Sequence, residues 1–343
     1  MPIDIKIKEL SYEPNNGIIG SKLSLSYSGS DINNKIVNTI RRVTLNDIPT
    51  YAFPSELIKI SKNDSVFTND YMRDHLTQLP ILDIHSDENE LFFLHPKYWE
   101  KVDYNDETRE IHESEINISL YVNVKNDSQN IISVTTNDAT IMKGDEKINM
   151  FNKKYPPLII QLKPGQSFVC SMRSSLGIGE KSDIWAASAN SYFDVDEKDN
   201  SIVGMYESAG QLDEYEYLIK ACDFILYKLE QLKLDIQEQF TSAKLNKNQK
   251  QIFIVLNNED HTMGELINNA LQDLPEVLYS GFCKPDGYIK EGIIKLICTS
   301  GTCLEAFNKV IDNLENTFRH IKPLYVKLYS KHQTTDKKAN KKK

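Results

Sequence analysis

Residues 256–273 read LNNEDHTMGELINNALQD. Two carboxylates, a histidine and a threonine fill four consecutive positions, and apolar residues at helical spacing follow. Glu259-Asp260-His261-Thr262 is either a reactive centre or the start of a helix, and the reading of the fold turns on which. Acid–base or metal chemistry needs convergent partners, such as a second histidine one helical turn on, as in HExxH. Positions 264 and 265 are Gly and Glu, so that turn supplies none. As a helix start the tetrad has a direct physical use. Asp260 or Thr262 can accept hydrogen bonds from first-turn N–H groups, and Thr262 with Glu265 three residues later has the capping-box pattern. Acidic residues there also face the positive end of the helix dipole. Asp260, Thr262 and Glu265 are therefore read as capping residues, not as catalysts.

Working outward, QIFIVLN before the tetrad reads as a strand, residues 262–272 as a helix, and EVLYSGF and GIIKLICTS as strands. A long helix follows, CLEAFNKVIDNLENTFRHIKPLYVKL, with Leu304, Phe307, Val310, Ile311, Leu314, Phe318 and Ile321 on one stripe. Pro323 should kink or end it. The first part of the chain has a similar order. Residues 3–9 and 21–28 alternate as strands around an Asn-Gly turn. SDINNKIVNTIRRVTLNDIP then predicts a helix capped by Ser30 or Asp31 and stopped by Pro49. From Gly210 a second long stripe runs through Leu212, Tyr215, Ile219, Cys222, Leu226, Leu229, Leu232, Ile236 and Phe240. A helix of about 30 residues is roughly 45 Å long, more than a small sheet can cover, so a facing helix is expected. Between the two parts, residues 50 to 165 hold short β-type runs such as EINISLYVNVKN and PPLIIQLKPGQSFVCSMRS. TSAKLNKNQK reads as a polar linker.

Composition narrows the function classes. With 343 residues and 40% hydrophobic content, the chain can bury two or three cores. No apolar run approaches the roughly 18 residues of a membrane span, and MPIDIKIKEL alternates like a strand, unlike a signal peptide. A cytosolic or nuclear protein is the expectation. Five cysteines without a CxxC pair argue against a disulfide framework or a zinc ribbon, and Cys298 with Cys303 lacks two further ligands nearby. A net charge of −9 opposes general coating of nucleic acid. The exception is Lys331–Lys343, where six Lys and one Asp give +5: a solvated tail, or a loose contact with nucleic acid or an acidic partner. GIGE at 177–180 lacks the Lys-Ser/Thr of a P-loop and reads as a turn. His75, His85, His95 and His112 lack ligand spacing, and Trp185 reads as a core or interface anchor.

Residues 253–287 also carry a family resemblance. Glu259, Asp260, His261, Thr262, Met263, Gly264, Leu266 and Ile267 resemble the E-D-H-T-(L/M)-G-N-L signature of the eleventh-subunit family of multisubunit RNA polymerases (archaeal subunit L). Glu265 replaces the usual Asn and Phe282 the usual Tyr. The cover runs from about 251 to 328. The N-terminal part is similar to that family's partner, the third subunit (archaeal D, bacterial alpha). NTIRRVTLNDIPTYAF matches through Asn38, Arg41, Arg42, Asp47, Pro49, Thr50 and Ala52. VFTNDYMRDHLTQLPI matches through Asp70, Met72, Leu76, Leu79, Pro80 and Ile81 but departs at Asp74, His75, Thr77 and Gln78. LGIGEKSDIWAASANSYF keeps Gly177, Ile178, Gly179, Trp185 and Ser188. The cysteine cluster common in the family's inserted domain has no counterpart between 50 and 165.

The chain thus resembles both partners of the polymerase assembly dimer fused end to end, as in large DNA viruses that transcribe outside the nucleus. The resemblance implies an α+β fold of two dimerisation half-domains forming an intramolecular pseudo-dimer. The expected organisation is a third-subunit-like domain at 1–49 plus 170–242, interrupted by a β-rich insert at 50–169. A linker at 243–250, an eleventh-subunit-like domain at 251–329 and a basic disordered tail at 330–343 complete it. The pseudo-dimer interface is expected at Leu212, Tyr215, Ile219, Leu226 and Leu229 against Leu304, Phe307, Ile311, Leu314 and Phe318. Arg41, Arg42, Asp47 and Pro49 are expected to face the large subunits, the arginines through charge-assisted hydrogen bonds. The implied function is a non-catalytic assembly platform of a DNA-directed RNA polymerase, without metal or cofactor. Its partners would be the two large subunits and small polymerase subunits, with DNA reached only through the complex and no membrane contact. Its location would be the host cytoplasm and the virion if viral, otherwise nucleus or cytoplasm. The competing readings are a nucleic-acid-binding accessory acting through the basic tail, and a hydrolase or metalloenzyme, for which spacing reveals no second cluster of titratable residues.

Overall fold

Alternation of apolar and polar residues builds the first sheet. A computed structural model describes residues 3–14, 20–82, 115–196, 201–241, 250–289 and 291–340, with side chains in the last helix as far as His332. Strand β1 (Lys6–Glu13) pairs with β2 (Lys22–Ser28), through a bulge between Glu9 and Ser11. The expected Asn-Gly turn between them lies outside the described residues. Helix α1 (Asn34–Asn46) follows. Its cap is Asn33, whose side chain accepts the Ile36 N–H at 3.0 Å. Ser30 and Asp31, the expected caps, serve the strand end instead: Asp31 accepts the Asp4 N–H at 2.8 Å.

The middle of the chain is β-rich: β3 (Thr50–Ala52), β4 (Ile58–Asn63), β5 (Ile118–Lys125), β6 (Ile132–Thr135), β7 (Ala139–Lys143), β8 (Glu146–Ile148), β9 (Leu158–Leu162), β10 (Ser167–Arg173) and β11 (Ser175–Gly177). It also holds a helix that the strand-like patterning hid, α2 (Asn69–Thr77), capped by Thr68. Strands β4-β10-β5-β7-β8 form a five-stranded sheet, while β11-β3 and β6-β9 pair separately. A core including Phe53, Leu120, Phe168, Cys170 and Met172 belongs to this region alone. The expected boundary at 169/170 therefore cuts through β10, which is hydrogen-bonded to β4 and β5 on its two sides. Residues 83–114 of the expected insert, with His85, His95 and His112, lie outside the described residues.

The chain then returns to the first sheet with β12 (Ser188–Val195) and β13 (Ile202–Ser208), giving the order β1-β2-β13-β12. Helix α3 (Glu214–Thr241) follows. Most of the expected linker lies outside the described residues. A second, three-stranded sheet is built from β14 (Gln251–Asn257), β15 (Val277–Cys283) and β16 (Glu291–Cys298) in the order β14-β16-β15, with α4 (His261–Gln272) between its first two strands. Helix α5 (Cys303–Asn340) ends the described chain. Of the two outcomes expected at Pro323, ending the helix does not occur, and residues 330–340, expected as a disordered tail, are helical. Tertiary contacts offset the hydrogen bond lost at proline. Ile321 and Tyr325 on either side of it are fully buried, and the Tyr325 and Tyr27 hydroxyls lie 2.9 Å apart.

One apolar cluster draws on both sheets and on α1, α3, α4 and α5. Helix α3 packs against α5, α1, β13 and β14. That crowding buries more of it than a single stripe: Tyr217, Leu218, Ala221 and Ile225 are buried beside Tyr215, Cys222 and Leu229. Ile219, Leu226 and Leu304, expected in the seam, are partly buried at its margin, and Leu212 is buried just before α3 begins. Phe307, Ile311, Leu314 and Phe318 are buried on α5.

Candidate functional site

The two stretches that carry the resemblance meet. The end of β14 turns through Asn258, which holds a positive φ of 58°, and delivers Glu259 and Asp260 to the head of α4. Asp260 is the cap, with Oδ1 accepting the Thr262 N–H at 2.7 Å. The capping-box alternative is not formed. Thr262 Oγ1 instead accepts from Arg42 Nε at 2.8 Å, and Glu265 lies 3.9 Å from Lys35. Arg42 Nη2 also reaches Asp260 Oδ2 at 3.2 Å. One guanidinium on α1 thus fastens the start of α4, holding its cap Asp260 and Thr262 just inside it. Burial works to raise the Asp260 carboxyl, but hydrogen bonds from Thr262 and the nearby charges of Arg42 and His261 leave it below the usual carboxylate range.

Arg41 is also engaged within the chain. Its Nε donates to Asn38 Oδ1 at 3.0 Å and its Nη1 to the Ser191 carbonyl at 3.3 Å. Burial and the adjacent Arg42 charge hold its pKa below that of a free arginine. Both side chains are thus half-buried and hydrogen-bonded within their own chain. The physical reason is their place on the stretch of α1 that runs between β12 and α4.

Behind them lies a denser cluster of charge. Glu259 Oε1 accepts from Lys228 Nζ of α3 at 2.7 Å, with side chains only 6% and 14% exposed. Burial opposes the Lys228 charge, yet Glu259, Asp47 and Asp260 together keep its pKa above the ordinary value. Asp47, at the end of α1, keeps partial contact with solvent. Burial of its carboxyl, followed by repulsion from Glu180, nonetheless pushes it up to about 8. Glu180 arrives on the turn that follows β11, its N–H bonded to the Asn46 carbonyl at 2.9 Å. A Cβ at Gly179 would sit 1.9 Å from the Leu45 carbonyl oxygen, so only glycine lets this turn close over the end of α1. Pro49 is buried just beyond. Sequence patterning missed Lys228 and Glu180. The available signal was a lysine placed directly before the buried Leu229.

His261 contributes packing. Its ring meets Phe282 edge-on with centroids 5.3 Å apart. Among the described residues no group of three His, Cys, Asp or Glu side chains has metal-holding geometry, and no helix is long and apolar enough to cross a membrane. The arrangement has the features of a rigid junction: charged groups paired to one another across three helices and a turn.

Comparison with known proteins agrees in kind. Residues 251–323 match the model of the RNA polymerase Rpb3/Rpb11 dimerisation domain. The chain is 28% identical over 300 residues to a putative DNA directed RNA polymerase subunit of Acanthamoeba polyphaga mimivirus, covering 82% of each protein. It resembles the alpha-like polymerase subunits of large DNA viruses.

Proposed function

We propose that this protein is a non-catalytic assembly subunit of a multisubunit DNA-directed RNA polymerase, the platform on which the two large subunits are held. The observation that carries this reading is that the segment matching a dimerisation domain packs against other parts of its own chain. Helix α5 lies along α3, and the cap of α4 is tied to α1. The chain is then an intramolecular pseudo-dimer, one half built on the first sheet and the other on the second. Joining the halves sets their effective concentration at about the millimolar level of short linkers, so assembly starts from a formed platform. Arg41 and Arg42 brace that platform from within, and the face ending at Asp47 and Pro49 is the proposed side for one large subunit. Small polymerase subunits would join the same particle, DNA would be reached only through it, and the setting would be the host cytoplasm and the virion.

The test is purification of the tagged chain from its native source, with bound proteins identified by mass. The two largest polymerase subunits should be recovered in equal amounts with it. A polymerase that assembles without the chain would sink the reading.

A further inference from the structure

The two sheets differ on the faces turned away from the helices. On the first sheet that face is mixed: Ser24 and Ser26 share it with Val203, Met205 and Tyr192, and Lys22 pairs there with Glu207 at 3.3 Å. On the second sheet the corresponding face is apolar. Ile252, Ile254, Ile294 and Leu296 point into the core, which by strand alternation turns Phe253, Val255, Ile293 and Ile297 outward. Phe253 is 53% exposed, and Tyr279 on the neighbouring strand is 50% exposed.

Lys295 stands at the middle of this face, directly across from Phe253 and from Gly281. Its ammonium lies 5.8 Å from the Phe253 ring centroid and 5.7 Å from that of Tyr279. Gly281 makes this possible, because a Cβ there would meet the Tyr279 hydroxyl at 2.5 Å. The two rings hold the cation in place, and among the described residues no carboxylate lies within ion-pair distance of it. A patch with an oriented, unneutralised charge at its centre selects its partner. A second copy docking face to face would set Lys295 against Lys295, and like charges meeting in an apolar contact are costly. A surface presenting one carboxylate ringed by apolar side chains is complementary in both shape and charge.

We propose that the outer face of β14-β16-β15 is the docking surface for another protein subunit of the same polymerase, which seats an Asp or Glu on Lys295 between Phe253 and Tyr279. The identity of the partner rests on the proposed function; the acidic, apolar-rimmed chemistry rests on the face itself. Cys283 supplies a reporter. It lies on the same outer face beside Ile293 and is exposed, while Cys170, Cys222, Cys298 and Cys303 are buried.

The experiment compares the free full-length chain with the purified polymerase. Iodoacetamide should alkylate Cys283 in the free chain and at least tenfold more slowly in the polymerase. A zero-length carbodiimide should join the Lys295 amine to a carboxylate of another subunit, as an amide-linked peptide pair found by mass. That product should disappear in Lys295→Gln, and Phe253→Ser with Tyr279→Ser should reduce its yield severalfold in a chain whose circular dichroism is unchanged. If the chain is present in the polymerase but Cys283 reacts equally in both forms and no Lys295 product appears, the docking face is wrong and the assembly role stands. If the chain is absent from the polymerase, both fall.

Discussion

Glu259 and Lys228 are the pair on which the junction depends most. At 2.7 Å and nearly out of water, removing either leaves an uncompensated buried charge. Glu259→Gln is expected to destabilise the chain by ~2–4 kcal/mol. Glu259→Leu combined with Lys228→Met should cost less than the two single changes summed. Urea unfolding midpoints of the four proteins test this, and strict additivity would contradict the pairing. Asp47 has the opposite character. Its carboxyl titrates near 8 in the folded chain and near 4 when unfolded. The folded form therefore holds its proton more tightly, and this stabilising contribution is complete below about pH 4 and lost as pH rises towards 8. Asp47→Asn should leave stability unchanged at pH 4 and raise it by ~1–2 kcal/mol at pH 8.5, a value reduced for the solvent contact that the group keeps. Melting temperatures across that range read the difference, and parallel curves for the two proteins would contradict it. The acids of the quoted stretch were legible as helix punctuation. Which donors they would meet was not, because Arg42 and Lys228 lie 218 and 31 positions away along the chain.

At the scale of elements, the head of α4 shows packing overriding propensity. Replacing a helical glycine by alanine stabilises an isolated helix by about 1 kcal/mol. At Gly264, however, a Cβ would stand 2.2 Å from the Phe282 ring, and a Cβ at Gly292 would stand 2.4 Å from the same ring. Gly264→Ala is therefore expected to destabilise the protein by ~1–3 kcal/mol, and Phe282→Leu should recover part of that loss. Stability equal to or above that of the parent would show that the ring moves freely. The two long helices were readable from their stripes, and the cap of α4 was narrowed to two residues. Helix α2 was not readable, because only Met72 and Leu76 of its nine residues are buried, too few to print a periodicity. The passage of α5 through Pro323 was not readable either. Local rules kink or stop a helix there, while Tyr27, on a strand almost 300 residues earlier, bonds Tyr325 beyond it.

For the whole molecule, a single core spans both sheets, so in the proposed pseudo-dimer the halves should stay together without continuity of the chain. A protease site introduced within 242–249 and cut under native conditions should leave one particle of unchanged size on gel filtration. Dilution should separate the pieces only in denaturant concentrations that also unfold α3 and α5. Separation in plain buffer would contradict the pseudo-dimer. The middle region, with its own core around Phe168 and Met172, is joined to this body through specific polar contacts. Gln211 accepts the Tyr51 N–H at 2.7 Å and donates to the Tyr51 carbonyl at 2.9 Å.

The sequence by itself determined the apolar stripes, the alternating strands, a helix start at Asp260 or Thr262 and the order in which these elements follow. Each depends on residues within a few positions of one another, so each is printed locally. Tertiary structure alone decided that Arg41 and Arg42 find hydrogen-bond partners within the chain, that β10 lies inside the middle sheet, that α5 outlasts its proline, and that one sheet keeps an apolar outer face around Lys295. Those outcomes depend on which distant groups arrive at the same place, and a position in space leaves no period in the chain.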